Sequence, residues 1–166
     1  MKLYYKRSSQ MDIKTLEQYI DKYSQISQSM MNSMYVIQKD AFANSPITSD
    51  QFNLMNAINS REDCTSSLLA KEFNVKKSSI TAIVSRLVDK GYIERIYNKK
   101  DRRVVFIKLT KYGHELLNTK RNELINTLMP IGHGFDGKDW DKVIESLTTI
   151  AKQLKIIEKE ILENEK

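Results

Sequence analysis

Residues 74–110 read NVKKSSITAIVSRLVDKGYIERIYNKKDRRVVFIKLT, and their pattern predicts a short helix followed by a two-stranded ribbon. Lys76 or Lys77 starts the helix, and Ile80, Ile83, Val84 and Leu87 fall on one face at helical spacing. Gly91 ends it, as a glycine just beyond the last turn does. Ile93–Tyr97 and Val104–Leu109 are rich in β-branched and aromatic residues, with the charged turn Asn98–Arg103 between them. Between Lys71 and Lys111 there are 12 Lys and Arg against four acids, a local charge of +8. The whole chain carries +6, so the remainder sums to −2. Positive charge confined to one segment suits attraction to phosphate better than a uniformly basic surface does.

Outward from this segment the chain reads as helical. Asp12 to Phe42 carries apolar residues at 3-4 spacing (Ile13, Leu16, Ile20, Tyr23, Met30, Met34, Ile37, Ala41), predicting one long helix. Asn44, Ser45 and Pro46 break it, and Thr48-x-x-Gln51 opens the next as a capping box. That second helix holds Phe52, Leu54, Met55 and Ile58. Thr65 caps a third, in which Leu68, Leu69 and Phe73 are expected to face inward, and a tight turn follows at Asn74. Thr110 caps a fifth helix with Leu116, Leu117, Leu124 and Leu128, closed by Pro130, Gly132 and Gly134. The last, about Lys138 to Leu162, repeats Trp140, Val143, Leu147, Ile150, Leu154, Ile157 and Ile161, a stripe that wants a partner helix.

Composition narrows the function classes. Five Gly and two Pro in 166 residues argue against disorder and against an all-β fold. No apolar run reaches the ~18 residues of a membrane span, and the N-terminal MKLYYKRSSQ lacks the apolar stretch of a secretory signal. A cytoplasmic protein with no membrane partner is expected. The single cysteine, Cys64, forms no internal disulfide, and the two histidines lie far apart, so neither a metal nor a cofactor is expected. No phosphate-cradling glycine loop and no nucleophile with its base is evident, which weighs against an enzyme.

Helix, helix, helix, hairpin in this order is a winged helix-turn-helix, and with long helices at both ends the chain resembles the MarR family of bacterial transcription regulators. The resemblance rests on Ser78-Ser79-Ile80-Thr81, Arg86-Leu87-Val88, Lys90-Gly91-Tyr92-Ile93, and Asp101-Arg102-Arg103 followed by Leu109-Thr110 and Gly113. The expected fold class is mainly α (α+β). Residues 1–45 would form an N-terminal dimerisation helix, 46–112 the DNA-binding domain, and 113–166 the C-terminal dimerisation helices. The resemblance implies a homodimeric regulator, a repressor by family habit, released from a palindromic operator by a small molecule or other signal. The competing reading is a winged-helix architectural or protein-interaction module without operator specificity.

Candidate DNA-binding residues follow. Lys76, Lys77, Ser78, Ser79, Thr81, Ala82 and Ser85 give the recognition helix short polar or donor side chains on one face, as base edges in the major groove require. Arg86 suits either a phosphate or a base. By resemblance, Arg103 enters the minor groove and Asp101 holds it in place, a pairing that bidentate guanidinium–carboxylate geometry favours. Lys99, Lys100 and Arg102 would track phosphates. Met30, Met34, Tyr35 and Met55 are candidates for a small-molecule pocket, since thioethers adapt to varied ligands. Cys64 lies away from the position of the family's peroxide-sensing cysteine, although a place just before a helix N-terminus can lower a thiol pKa. The first ten residues are open to contacts with DNA or with a partner subunit.

Overall fold

The computed structural model describes residues 12–164, so the N-terminal MKLYYKRSSQ lies outside the described residues. Two compact units divide the chain, one running to Leu124 and the other from Ile125. The elements are α1 (Ile13–Ala41), α2 (Ser49–Asn59), α3 (Ser66–Glu72), α4 (Lys77–Asp89), β1 (Ile93–Tyr97), β2 (Val105–Leu109), α5 (Lys111–Leu128) and α6 (Gly137–Asn164), with a 3-10 turn at Met129–Gly134.

Caps set where the helices begin and end. Asp12 opens α1, its carboxylate accepting from the Thr15 amide (3.0 Å) and hydroxyl (2.6 Å). These bonds hold the Asp12 carboxyl below its usual pKa range. Thr48 and Gln51 close the expected capping box reciprocally at 3.2 and 3.1 Å, which is how the buried Gln51 side chain is satisfied. Thr65 accepts from the Leu68 amide to start α3.

Both α3 and α4 end in the same six-to-one, five-to-two pair of backbone bonds. After α3, Asn74 takes φ +50° and its amide reaches the Lys71 carbonyl, while Val75 N–H reaches Ala70. After α4, Gly91 takes φ +73°, with Gly91 N–H bonded to Val88 (2.8 Å) and Tyr92 N–H to Leu87 (2.9 Å). These left-handed residues turn the chain sharply enough to lay α4 across α3 and then launch the hairpin.

β1 and β2 pair antiparallel with Ile93 opposite Leu109, Arg95 opposite Ile107 and Tyr97 opposite Val105. A further bond, Ile107 N–H to the Cys64 carbonyl at 2.8 Å, ties the loop before α3 to the sheet. The core gathers Ile47, Leu54, Met55, Ile58, Leu69, Ile80, Val84, Leu87, Ile93, Ile107 and Leu117. Three helices and a two-stranded wing around one core make a winged helix-turn-helix.

One expectation is corrected here. Leu69 and Ala70 carry the inward face of α3, whereas Leu68 is 49% exposed and Phe73 36%. A seven-residue helix capped by Thr65 has room for one inward stripe, and Leu68 lies one helical step, about 100°, away from Leu69. Phe73 instead caps the helix at its rim. Met55, a candidate pocket residue, is buried in the core.

Thr110 and Gly113 join the wing to α5. The Thr110 hydroxyl donates to the Gly91 carbonyl (2.7 Å) and accepts from Gly113 N–H (3.0 Å), while Thr110 N–H bonds Tyr92 O. A Cβ on Gly113 would stand 1.9 Å from the Tyr92 carbonyl oxygen, so only glycine allows this approach. In the second unit α6 buries no residue fully, and Phe135 packs on Trp140 at its start with ring centroids 5.2 Å apart. No described helix is long and apolar enough to cross a membrane.

Candidate nucleic-acid interface

The exposed side of α4 follows from its buried side. With Ile80, Val84 and Leu87 held in the core, helical geometry turns Lys77, Ser78, Thr81 and Ala82 outward, and all four are exposed. Lys76 precedes the helix in extended conformation and offers no side-chain cap. Ser79 N–H bonds the Lys76 carbonyl at 3.0 Å, which leaves the Lys77 and Ser78 amides for an outside acceptor such as a phosphate oxygen. Thr81 donates its hydroxyl to the Lys77 carbonyl at 2.9 Å, which leaves its oxygen and methyl facing out. Ser79 and Arg86 are exposed as well, on the flanks.

The wing turn is organised by two side chains. Asn98 Oδ1 accepts from the amides of Lys100 (2.8 Å) and Asp101 (3.4 Å), and Asn98 N–H reaches the Val104 carbonyl at 3.0 Å. Asp101 then holds Arg103 through three contacts. Its Oδ1 accepts from Arg103 N–H (3.0 Å) and Nε (3.1 Å), and its Oδ2 from Nη2 (3.2 Å). This is the bidentate pairing that the resemblance implies. The Arg103 side chain is nonetheless 92% exposed, so it is oriented without being buried. The same bonds hold the Asp101 carboxyl below its usual range. Lys99, Lys100 and Arg102 surround the pair on the exposed turn.

The helix and the wing are tied by a residue that sequence reasoning left unassigned. Arg95 Nη2, on β1, donates to Ser85 Oγ of α4 at 2.8 Å. The signal was present but weak: Arg95 sat within the basic segment, yet nothing in the linear pattern aimed it at α4. Together these elements border a groove of about 670 Å³ that draws on Thr65 and Ser66 from the start of α3, Lys77 and Ser85 from α4, and Arg95 and Arg103 from the wing.

The other candidates differ in exposure. On α1, Met30 and Tyr35 are exposed and Met34 half-buried, whereas Met55 on α2 is fully buried. Cys64 is fully buried, and burial pushes its thiol pKa up, outweighing the nearby Arg61. Removal from water is the main cause, and the nearby Glu72 carboxylate adds to it. Among the described residues no cluster of three or more His, Cys, Asp or Glu is placed to hold a metal.

Comparison with known proteins converges on the same segment. Residues 47–105 match the model of the MarR family. The winged helix of this chain is a MarR-family domain. Over 103 residues the chain is 28% identical to the HTH-type transcriptional regulator BilQ of Clostridioides difficile (strain CD3), covering 62% of this chain and 70% of that protein. A MarR family protein from Bacillus stearothermophilus superposes with a TM-score of 0.75 at 17% identity, over 84% of this chain and 97% of the other. Streptococcus pneumoniae FabT, solved in complex with DNA, superposes with a TM-score of 0.68 at 24% identity, over 85% of this chain and 99% of its own. The fold shared with the MarR family therefore extends through the helices that flank the winged domain.

Proposed function

We propose that this chain is a DNA-binding transcription regulator that reads a palindromic operator as a homodimer in the bacterial cytoplasm, acting as a repressor. Arg103, held by Asp101 at the tip of a projecting wing beside the polar face of α4, carries the reading. α4 enters the major groove, where Lys76, Lys77, Ser78, Ser79, Thr81, Ala82, Ser85 and Arg86 meet base edges and flanking phosphates. Arg103 enters the adjacent minor groove. Because Asp101 already restricts it, less rotamer freedom is lost on insertion. Lys99, Lys100 and Arg102 contact phosphates on either side.

The dimer follows from what α1 and α6 leave uncovered. Ile13, Ile20, Met30 and Tyr35 on α1, and Ile144, Leu147, Leu154 and Ile157 on α6, are all more than 40% exposed. Each large apolar side chain withdrawn from water contributes roughly 1.5–3 kcal/mol, so pairing of such helices between two copies is strongly favoured. Two winged helices about 34 Å apart then address successive half-sites on one face of the duplex. A signal that releases DNA acts through Met30, Met34 and Tyr35 of α1 and the buried Met55 of α2.

Arg103→Ala tests the wing assignment. Affinity for the operator is expected to fall more than tenfold at physiological salt, with an unchanged circular dichroism spectrum. Unaltered affinity would remove Arg103 from the interface.

A further inference from the structure

A duplex read at once by α4 in its major groove and by the wing in the adjacent minor groove must run one sugar–phosphate strand between the two, because that strand is what separates the grooves. The space between α4 and the wing is the groove of about 670 Å³ described above. Its lining includes three cations, Lys77, Arg95 and Arg103, and no carboxylate. Hydroxyl-bearing residues Thr65, Ser66 and Ser67 line it as well. The Thr65 oxygen already accepts from the Leu68 amide, so its O–H is left to donate. Arg95 spends one N–H on Ser85, and its remaining guanidinium donors are available to the groove.

We propose that this groove is a phosphodiester-binding tract with Arg95 at its centre. The inference rests on the DNA-binding reading above and adds to it a site spanning α3, α4 and β1. Arg95 has two tasks there. Its bond to Ser85 fixes the distance between recognition helix and wing, and its free donors grip the strand passing between them. Contact with phosphate carries no base information, so the tract adds affinity and register equally for every sequence.

The test is a salt titration of binding to an operator duplex and to a random duplex, with wild type, Arg95→Ala, Arg95→Lys, Ser66→Asp and Arg103→Ala. Arg95→Ala is expected to lose about tenfold in affinity on the random duplex and at least as much on the operator, where the helix–wing spacing is also released, and to flatten the log K against log salt slope by about 1 on both. Arg95→Lys keeps the charge and restores the slope. Ser66→Asp adds a carboxylate to the first turn of α3, where the helix dipole favours it, so the fold is kept while binding weakens most at low salt. An Arg95→Ala variant whose affinity falls with the slope unaltered would make Arg95 a strut only and overturn the tract. Wild-type binding that responds to Arg103→Ala but is indifferent to Arg95→Ala and Ser66→Asp would overturn it too, leaving the wider reading intact. A wild-type chain that binds neither duplex would overturn both.

Discussion

Between Ile47 and Leu117 the chain buries Met55, Cys64, Leu69 and Leu87 completely, whereas α1 and α6, 29 and 28 residues long, bury no side chain fully. Yet the long helices are not polar: their apolar residues recur at helical spacing just as those of α4 do. The difference is one of completeness. The winged helix closes its core within one copy, with Leu69 of α3 and Ile80 of α4 meeting Ile93 and Ile107 of the wing. The long helices present apolar faces whose burial requires a second surface. Recognition is thus built into each copy, and pairing, in the reading proposed above, supplies the spacing between two recognition helices.

Breaking the uncovered faces should produce the largest effect. Leu147→Glu with Leu154→Glu on α6 is expected to yield a folded winged helix in a chain that sediments as a monomer at micromolar concentration. Operator affinity should fall by about 10²–10⁴, the range gained when two linked sites bind together. A dimer that survives both charges would separate pairing from this face of α6.

Within the winged helix, adjacent leucines sharpen the contrast. Leu69→Ala opens a cavity in a sealed core and is expected to cost about 2–5 kcal/mol in denaturant unfolding. Leu68→Ala, on the half-exposed side of the same helix, is expected to cost within about 0.5 kcal/mol. Comparable losses at the two positions would contradict the phase of α3 described here.

The smallest effect concerns pH. Arg103 lowers the Asp101 pKa, so the pair is intact above the ordinary carboxylate range and is lost only as pH falls through the lowered value. Its contribution to DNA binding should be flat between about pH 6 and 8. Asp101→Asn should weaken operator binding severalfold across that whole interval. A wild-type affinity that steps within it would point to a different titrating group at the wing.

Much of this architecture is visible in the order of residues. The capping box at Thr48 and Gln51, the glycine after α4, the two strand segments and the Asp101–Arg103 pair are local features, each set by neighbours a few positions apart, and each forms as expected. What the linear pattern hides is long-range. Arg95 and Ser85 lie ten positions apart and meet only because Gly91 folds the hairpin back beside α4. Gly113 belongs to a recognisable motif, but its reason is the Tyr92 carbonyl that would strike any side chain there. Leu68 and Leu69 are chemically identical, and only the rotation set by the Thr65 cap decides which one is sealed. Cys64 shows the same limit, since its proximity to a helix start is local while its burial under the sheet is not.

The most direct test is to select duplexes from a random pool with the intact chain and weigh the resulting complex by sedimentation. The account predicts a palindromic site bound by two copies, preferred over random duplex by at least ~10³-fold at physiological salt. Equal binding to every duplex, or one copy on an asymmetric site, would contradict it.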